Sequence, residues 1–271
     1  MELREKKQKL EERLRSLGSV AVAFSAGVDS TLLLKEAHDV LGDAAMAVTV
    51  GSVFTPERER REAEEFCHRE GIRHQVLEVD VLNVPHVADN PPDRCYHCKK
   101  ALFGQIFAAA RENGMAYVAE GSNMDDLGDY RPGLAAVAEL GAVSPLRDAQ
   151  LYKREIRQLS RELGLPTWEK PAYACLASRF VYGERLTPEG LERVDQAEQR
   201  LRQLGFGQLR VRVHGDLARI EIDPAEFYKL LEGDTAGALD REMRAMGFSY
   251  ATLDLGGYRM GSMNRDLDLK P

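Results

Sequence analysis

A run of small and hydroxyl-bearing residues has the types and spacing that bind a phosphate group. Its members are Ser25, Ala26, Gly27, Val28, Asp29, Ser30 and Thr31. The run follows the apolar segment Val20–Phe24, typical of a buried parallel strand, and precedes a helical pattern. Free N–H groups and the positive dipole end at such a helix start attract an anion, and Gly27 permits close approach. Asp29 would repel that anion, so we interpret it as a ligand of Mg²⁺ bridging the phosphates.

The same run resembles the PP-loop, SGGxDS, of the ATP pyrophosphatases, which cleave ATP to AMP and pyrophosphate and adenylate a substrate. It lacks the lysine of GxxxxGK[ST], so it is not a Walker loop. Ala26 stands where the PP-loop pattern usually has glycine. Alanine is nearly as small, and we expect an altered turn rather than a lost site. A plain strand–turn–helix connection is the alternative.

Polar and acidic residues follow another predicted strand, 116–120, in the stretch GSNMDDLGDYRPG. Its carboxylates, which could bind Mg²⁺ or cap the next helix, are Asp125, Asp126 and Asp129. Arg131 could neutralise phosphate or pair with Asp129. A solvated acidic turn is the alternative. PP-loop enzymes that adenylate small molecules have a similar stretch, and this resemblance places three residues in the ATP site: Gly121, Asn123 and Asp125.

Two of the four cysteines, Cys95 and Cys98, lie three positions apart at a predicted helix start, after Asp93 as a candidate cap. That spacing puts both on one helix face, where the dipole favours thiolates. The pair could be half a zinc site, a redox pair, part of an iron–sulfur site or two reduced thiols. Cys67, inside another helix, reads as a small buried hydrophobe.

The segment KPAYACLASRF contains Cys175 four residues before Arg179 and has no regular periodicity, which predicts a loop. Small neighbours and the nearby arginine make Cys175 accessible and electropositive enough to be reactive, with a buried structural cysteine as the alternative. Further on, RVRVHGDLARIEI predicts a hairpin in which Arg210 and Arg212 share one strand face. Two parallel arginines suit a phosphate or carboxylate, or they form a solvated charged face.

The elements that carry these residues alternate between strand and helix as far as the Cys175 segment, which predicts an α/β protein with a doubly wound, Rossmann-like parallel sheet. Ligands of such sheets bind at the carboxyl ends of the strands, where Ser25–Ser30 falls. The character changes near Thr187, and the rest predicts a smaller α+β unit. We therefore expect a domain over residues 1–182 and another over residues 187–271.

The chain has 271 residues, a formal net charge of −7 and no apolar run near the roughly 20 residues that span a bilayer. The charged amino-terminal segment lacks the apolar core of a signal peptide, and four cysteines without such a signal indicate reduced thiols or metal ligands. We expect a cytoplasmic protein. The acidic balance argues against a large nucleic-acid footprint.

In this order, the PP-loop, the stretch from Gly121, KPAYACLASRF, the arginine hairpin and the tail GGYRMGSMN are similar to the LarE sulfur transferases. That family matures the nickel-pincer nucleotide of lactate racemase. It adenylates a carboxylate of pyridinium-3,5-biscarboxylic acid mononucleotide with ATP, releases pyrophosphate, and exchanges AMP for sulfur to leave a thiocarboxylate. The resemblance implies a PP-loop ATP pyrophosphatase domain and a C-terminal domain for substrate binding and oligomerisation.

The resemblance implies that Cys175 is the sulfur donor. In single-cysteine members this residue gives up its own sulfur and becomes dehydroalanine. Other members hold a [4Fe–4S] cluster by three cysteines and deliver an extra sulfide from it. We favour this mechanism because Cys95 and Cys98 supply the two further cysteines in addition to Cys175. The resemblance also implies contacts to the substrate's phosphate or carboxylates from Ser178, Arg179, Arg210 and Arg212.

The expected partners are a small-molecule nucleotide substrate, a sulfide or sulfur-donor supply, a nickel insertase and further copies of the chain, without nucleic acid or membrane. Three other functions stay open. A tRNA thiolase would also combine a PP-loop with cysteines, and an ammonia-using ligase similar to NAD synthetase would not need Cys175. A nucleotide-binding module of the universal-stress type would have no chemistry.

Overall fold

The computed structural model describes residues 2–127, 132–171 and 174–259. The chain divides into two compact units, and each contains two segments of the sequence. The first unit comprises Met1–Pro85 and Asp93–Tyr173, and the second comprises His86–Pro92 and Ala174–Pro271. The domain limits at residues 182 and 187 stay a prediction.

The first unit alternates strands and helices, as the sequence pattern predicts. Its strands are β1 Val20–Ala23, β2 Ala45–Gly51, β3 Arg73–Glu78 and β4 Tyr117–Ala119. Its helices are α1 Leu3–Leu17, α2 Val28–Leu41, α3 Glu57–Glu70, α4 Arg94–Glu112, α5 Pro132–Glu139, α6 Pro145–Asp148 and α7 Lys153–Glu162.

These four strands form a parallel sheet in the order β3-β2-β1-β4. The strand β1 is central, and Val22 lies opposite Ala47 of β2 and Ala119 of β4. The chain leaves β1 toward β2 on one side and enters β4 on the other, so a crevice opens at the carboxyl ends of β1 and β4. The doubly wound α/β fold predicted from the alternation is confirmed.

Alternate residues of the central strands supply two cores, one on each face of the sheet. Val20 and Val22 pack with apolar residues of α1, α2, α3, α6 and α7. Ala21 and Met46 pack on the opposite face with apolar residues of α4 and α5. Burial of both faces explains why β1 reads as a continuous apolar run.

The second unit is a small α+β structure, as expected. Its elements are α8 Pro188–Gln203, β5 Leu209–His214, β6 Leu217–Ile222, α9 Thr235–Ala245 and β7 Tyr250–Leu253. The strands β5 and β6 form the predicted antiparallel hairpin, which turns at Gly215 with a φ of 63°, and β7 pairs parallel to β6. The segment Pro224–Leu231 is a 3₁₀ helix.

A short piece of chain, His86–Pro92, leaves the first unit and completes the second. The Asn90 carbonyl accepts a hydrogen bond from the Gly183 N–H at 2.9 Å, and the Asn90 side chain donates to the Val181 carbonyl at 2.8 Å. The Leu186 N–H donates to the Ala88 carbonyl at 2.7 Å. Asn90 is fully buried and has a φ of 52°, a left-handed conformation that asparagine adopts more readily than most residues, and these bonds hold it there.

Within the described ranges, the structure contains no helix whose length and apolar character would let it cross a bilayer.

Candidate active site

The predicted phosphate loop connects β1 to α2. Gly27 caps the helix amino terminus in an extended conformation, and α2 begins at Val28. The hydroxyls of Ser25 and Ser30 lie 3.2 Å apart, and the Ser30 hydroxyl donates to the Gly27 carbonyl at 3.3 Å. The loop therefore places hydroxyls and the first N–H groups of a helix around one point, which suits a phosphate.

Ala26 adopts the backbone conformation that glycine takes without strain. Its φ is 51°, in the left-handed region, and its side chain is buried. A left-handed alanine costs about 1–2 kcal/mol, because its Cβ crowds the following carbonyl. The expected change of the turn at Ala26 stays a prediction, and the conformation explains why the family pattern has glycine at this position.

Gly121 lies where β4 ends and touches the phosphate loop. A Cβ added to Gly121 would lie 3.1 Å from both the Asp29 Cβ and the Ser30 nitrogen. Asn123, just beyond, donates through Nδ2 to Asp29 Oδ1 at 3.2 Å. The structure thus brings Gly121 and Asn123 against the loop, as their position after a neighbouring strand predicts.

Asp125, a predicted ATP-site residue, forms hydrogen bonds to the backbone of α7 and to Asn123. Its Oδ2 accepts a hydrogen bond from the Lys153 backbone N–H at 2.6 Å, at the start of α7. Its own N–H donates to Asn123 Oδ1 at 2.9 Å. Asp125 therefore ties the end of β4 to α7. Asp129 and Arg131 lie outside the described residues, as do Ala172, Tyr173 and the tail from Met260.

Two lysines that sequence reasoning missed approach the phosphate loop. Lys153 Nζ donates to Asp29 Oδ2, and Lys170 Nζ donates to the Ala26 carbonyl at 2.7 Å and to the Glu62 carboxylate. The helix α7 also carries Arg157, which donates to the carbonyls of Trp168 at 2.6 Å and Lys170 at 2.9 Å. Lys170 is the first residue of the segment KPAYACLASRF, so that motif could have indicated it as a site residue. No local sequence pattern indicates Lys153.

A buried carboxylate, that of Glu120, stabilises the backbone at the edge of the crevice. Glu120, at the end of β4, accepts hydrogen bonds from the Ser122 N–H at 2.9 Å and the Ser122 hydroxyl at 2.7 Å, and another from the Ser144 hydroxyl. These bonds fix the backbone that carries Gly121 and Asn123. The sequence did not indicate Glu120 as a site residue, because a glutamate at the end of a strand is usually expected to be exposed to solvent.

Cys95 and Cys98 lie at the start of α4, as predicted, in its first and second turns. Cys98 is buried and Cys95 is half-buried, and Arg94 Nη2 donates to Cys95 Sγ at 3.7 Å. Asp93 precedes the helix without a capping side-chain bond, and its carboxylate contacts the His97 ring at 3.2 Å instead. Cys67 is buried, as expected, and burial raises the pKa of its thiol to about 12.

In the second unit, Cys175 is exposed and precedes a 3₁₀ turn that runs from Leu176 to Arg179. Arg179 Nη1 donates to the Cys175 carbonyl at 3.0 Å and to the Ser178 hydroxyl at 3.1 Å. Arg179 donates through Nε and Nη2 to the two carboxylate oxygens of Glu198, at 2.8 and 2.9 Å. The side chains of Arg179 and Glu198 are only 2% and 1% exposed. A buried ion pair therefore holds the turn after Cys175.

Arg210 and Arg212 are both buried in the hairpin. Arg212 donates through Nε to Glu221 at 3.0 Å and through Nη1 to the Ser178 carbonyl at 3.0 Å. Arg210 donates to the Leu209 carbonyl at 2.6 Å, and its guanidinium lies 5.3 Å from the centre of the Tyr258 ring. The second unit thus brings Ser178, Arg179, Arg210 and Arg212 into one network with Glu198 and Glu221.

The network shifts the pKa values of its members. Burial lowers the pKa of Arg210, and the Arg179 charge lowers it further. Burial also lowers the pKa of Arg212, against the opposing charge of Glu221. Burial alone would raise the pKa of Glu198, but Arg179 and the other nearby arginines lower it to about 2.

No group of three or more His, Cys, Asp or Glu side chains within the described ranges converges as a metal site. Asp29 lies at the phosphate loop, Cys95 and Cys98 lie in the first unit, and Cys175 lies in the second. The residues predicted to bind ATP are therefore grouped in one unit, and those predicted to bind the acceptor substrate in the other.

A parallel sheet with a phosphate loop at its switch point defines a nucleotide-binding α/β protein, and comparison with known proteins narrows this class. No family model matches the chain. The chain is 27% identical over 211 residues to one of the subunits of the glutamine-hydrolysing GMP synthase of Archaeoglobus fulgidus, a PP-loop ATP pyrophosphatase. The matched residues are 71% of this chain and 66% of that protein.

Two relatives match nearly the whole chain. One is pyridinium-3,5-bisthiocarboxylic acid mononucleotide synthase of Lactiplantibacillus plantarum, 42% identical over 263 residues, which are 97% of this chain and 95% of the synthase. The other is an uncharacterized protein of Synechocystis, 43% identical over 265 residues, which are 98% of this chain and 99% of that protein. The chain belongs to the LarE family of PP-loop enzymes.

Proposed function

We propose that this protein is an ATP-dependent sulfurtransferase that converts a carboxylate of pyridinium-3,5-biscarboxylic acid mononucleotide into a thiocarboxylate. The observation that carries this proposal is the similarity to the L. plantarum synthase over 97% of the chain. That similarity spans both the unit with the phosphate loop and the unit with Cys175. The product would serve the nickel-pincer cofactor of lactate racemase.

The first step activates the carboxylate. A carboxylate oxygen attacks the α-phosphorus of ATP, the bond from that phosphorus to the bridging oxygen breaks, and pyrophosphate leaves. The hydroxyls of Ser25 and Ser30, the α2 amino terminus and Lys153 would stabilise the phosphate charge. The resulting acyl adenylate has AMP as its leaving group.

The second step exchanges AMP for sulfur. In protein without a cluster, the Cys175 thiolate would attack the acyl carbon, the acyl–oxygen bond would break, and AMP would leave with the bonding electrons. Loss of the Cys175 α-proton and cleavage of its Cβ–S bond would then release the thiocarboxylate and leave dehydroalanine. The exposure of Cys175 and the braced turn that follows it support this assignment.

Asp29 fits the requirements of a Mg²⁺ ligand. Mg²⁺ is usually held by one or two carboxylates together with substrate phosphates. Asp29 presents a partly exposed carboxylate at the phosphate loop, and a cationic ammonium already lies against it. We therefore assign Asp29 to the metal, which would neutralise phosphate charge when it is bound.

In number and type, three of the cysteines match the donor set of a [4Fe–4S] cluster that has one iron without a protein ligand. Cys95 and Cys98 share one face of α4 at its amino terminus, which favours thiolates, and Cys175 supplies a third, exposed thiol. We propose that Cys95, Cys98 and Cys175 hold such a cluster. When bound, it would carry an additional sulfide, so that Cys175 need not be consumed.

We propose that the acceptor substrate binds near the arginine network of the second unit. Ser178, Arg210 and Arg212 would contact its phosphate or carboxylates, since guanidinium groups match both geometries. Arg179 already donates to both Glu198 oxygens and to the carbonyls of Ala174 and Cys175, so its role would be to position Cys175 and Ser178.

The proposal includes partners and a location. A sulfide or sulfur-donor protein would supply sulfur, a nickel insertase would receive the product, and the chain would form a homo-oligomer. We place the protein in the cytoplasm. The described cysteines are free thiols, which supports a reducing compartment.

The first experiment combines anaerobically purified protein, MgATP and the biscarboxylic mononucleotide, and it measures pyrophosphate and the thiocarboxylate by mass spectrometry. Both should form with wild-type protein, whereas C175S should release pyrophosphate without forming the thiocarboxylate. The variant C67S is the matched control and should behave as wild type. Pyrophosphate release that depends on tRNA or on ammonia instead would overturn the proposal.

A second experiment separates the two sulfur sources. The optical spectrum and the iron and sulfide contents of anaerobically reconstituted protein are compared with those of C95S. A broad visible band with bound iron, lost in C95S, supports the cluster. Iron-free, colourless protein whose Cys175 loses the mass of H₂S after one turnover would assign the sulfur to Cys175 itself.

A further inference from the structure

We infer that Lys153 is an exchangeable counter-ion of Asp29: its ammonium occupies the carboxylate until MgATP binds, and it then moves to the phosphates. This inference rests on the proposed use of ATP at the phosphate loop. It does not depend on the identity of the acceptor or of the sulfur donor.

Both oxygens of Asp29 are engaged in the structure. Lys153 Nζ donates to Oδ2, and Asn123 Nδ2 donates to Oδ1 at 3.2 Å. A divalent cation and an ammonium cannot both contact Oδ2 without strong repulsion, because like charges at such a distance are unfavourable even when solvent screens them. A metal that binds Oδ2 would therefore displace Lys153, and the proposal commits to this oxygen.

The ion pair between Lys153 and Asp29 is easy to break. Their side chains are 32% and 22% exposed, and solvated pairs of this kind contribute little to stability. The buried pair between Arg179 and Glu198 is the opposite case, since leaving either charge unpaired there would be costly. The location of Lys153 is therefore suited to repeated exchange.

The backbone of Lys153 is fixed while its side chain is long. Lys153 is the first residue of α7, its N–H donates to Asp125 at 2.6 Å, and the buried residues Ile156 and Leu159 anchor the helix. Four methylene groups let the ammonium turn from Asp29 to a nearby anion without movement of the helix. The phosphates of ATP would be that anion, since Asp29 lies in the phosphate loop.

The other lysine at the loop serves a different purpose. Lys170 holds the Ala26 carbonyl and the Glu62 carboxylate, and neither is a proposed metal ligand. Its side chain is also more buried than that of Lys153. The geometry therefore assigns exchange to Lys153 and support of the loop backbone to Lys170.

The test measures metal and nucleotide binding without acceptor substrate. Binding of Mn²⁺ alone is followed by electron paramagnetic resonance, and binding of the non-hydrolysable α,β-methylene analogue of ATP with Mg²⁺ is followed by calorimetry. The variant K153M should bind Mn²⁺ about tenfold more tightly, because no ammonium competes for Asp29. The same variant should bind the Mg²⁺–analogue complex about tenfold more weakly, because a charged donor to the phosphates is lost.

The opposite signs of these two changes distinguish exchange from a structural role. The variant K35M removes a lysine that pairs with Asp39 at 2.7 Å on the same helix as Asp29, and it should change neither affinity. K153R, which restores a cation, should bring Mn²⁺ affinity back to that of wild type or below. Unchanged or weaker Mn²⁺ binding in K153M would overturn the inference.

If circular dichroism shows that K153M does not fold, K153Q, which also removes the ammonium, takes its place, and the same two opposite changes are expected. D29N removes the carboxylate for which the two cations compete, so replacing Lys153 in the D29N background should leave Mn²⁺ binding unchanged. A gain in Mn²⁺ affinity in that background would contradict competition at Asp29. None of these measurements involves sulfur transfer, so failure of the proposed function would leave them interpretable.

Discussion

The phosphate loop and the arginine network both bring charged side chains together, but they do so in different surroundings. At the loop, the Lys153–Asp29 pair is partly exposed, and the anion site is made mainly of backbone and hydroxyl groups. In the network, Arg179 and Glu198 are almost completely buried. Under our inference, Lys153 at the first site exchanges partners with a ligand, whereas the buried Arg179–Glu198 pair in the second holds the turn that follows Cys175.

The largest expected effect lies in the buried network. The variant E198Q leaves Arg179 buried without its counter-charge, and we expect it to lower the free energy of unfolding by about 3–5 kcal/mol. Urea unfolding, followed by circular dichroism, measures the change. The matched control is R202M, since Arg202 donates to the same Glu198 at 2.8 Å but its side chain is 20% exposed. A loss in R202M as large as in E198Q would contradict the distinction between buried and exposed pairs.

Acid should weaken the same pair. The pKa of Glu198 is about 2 in the folded protein and near 4.5 when it is unperturbed. Because the folded pKa is the lower one, this stabilisation is complete above pH 4.5 and is lost as the pH falls toward 2. The difference corresponds to about 3 kcal/mol. Unfolding free energies measured from pH 7 to pH 2 should fall less steeply in E198Q, and equal slopes for the two proteins would refute this assignment.

At the phosphate loop, function should suffer while stability does not. We expect D29N to weaken binding of MgATP about a hundredfold, a loss of about 2.7 kcal/mol. Its unfolding free energy should change by less than about 1 kcal/mol, because the broken pair is exposed. Calorimetry and urea unfolding give the two values. D39N, which removes the partner of Lys35 on the same helix, is the control and should retain nucleotide affinity.

The smallest effect concerns Ala26. A26G removes the strain of a left-handed alanine but adds entropy to the unfolded chain, so we expect a net stabilisation of about 0.5–1 kcal/mol. A23G changes an alanine of the extended strand β1 and should destabilise the protein. Thermal unfolding of both variants checks the prediction, and destabilisation by A26G would show that the turn is not strained.

The fold and the phosphate loop could be predicted because their signals are local. An apolar run, a small-residue turn and a helix start lie next to one another in the sequence, and their geometry follows from backbone preferences. The closeness of Gly121 and Asn123 to the phosphate loop could also be predicted, since the carboxyl ends of parallel strands meet at one edge of the sheet.

The side-chain partners could not be predicted in the same way. Lys153 and Lys170 meet residues 124 and 144 positions earlier in the chain. Glu198 lies in α8 among charged residues and reads as part of a solvated face, although it is the most buried partner of Arg179. The hairpin pattern puts Arg210 and Arg212 on one face, but it does not reveal that the second unit buries that face.

The excursion of His86–Pro92 into the second unit has a consequence for synthesis of the protein. A ribosome makes this segment long before Val181–Leu186, to which it is hydrogen-bonded. Until those residues emerge from the ribosome, the segment lacks these hydrogen-bond partners. Contacts between residues so far apart in the sequence also form slowly. A shortened gene that begins at Ala174 would lack the segment altogether, so the second unit would be missing a piece of its own interior, the fully buried Asn90.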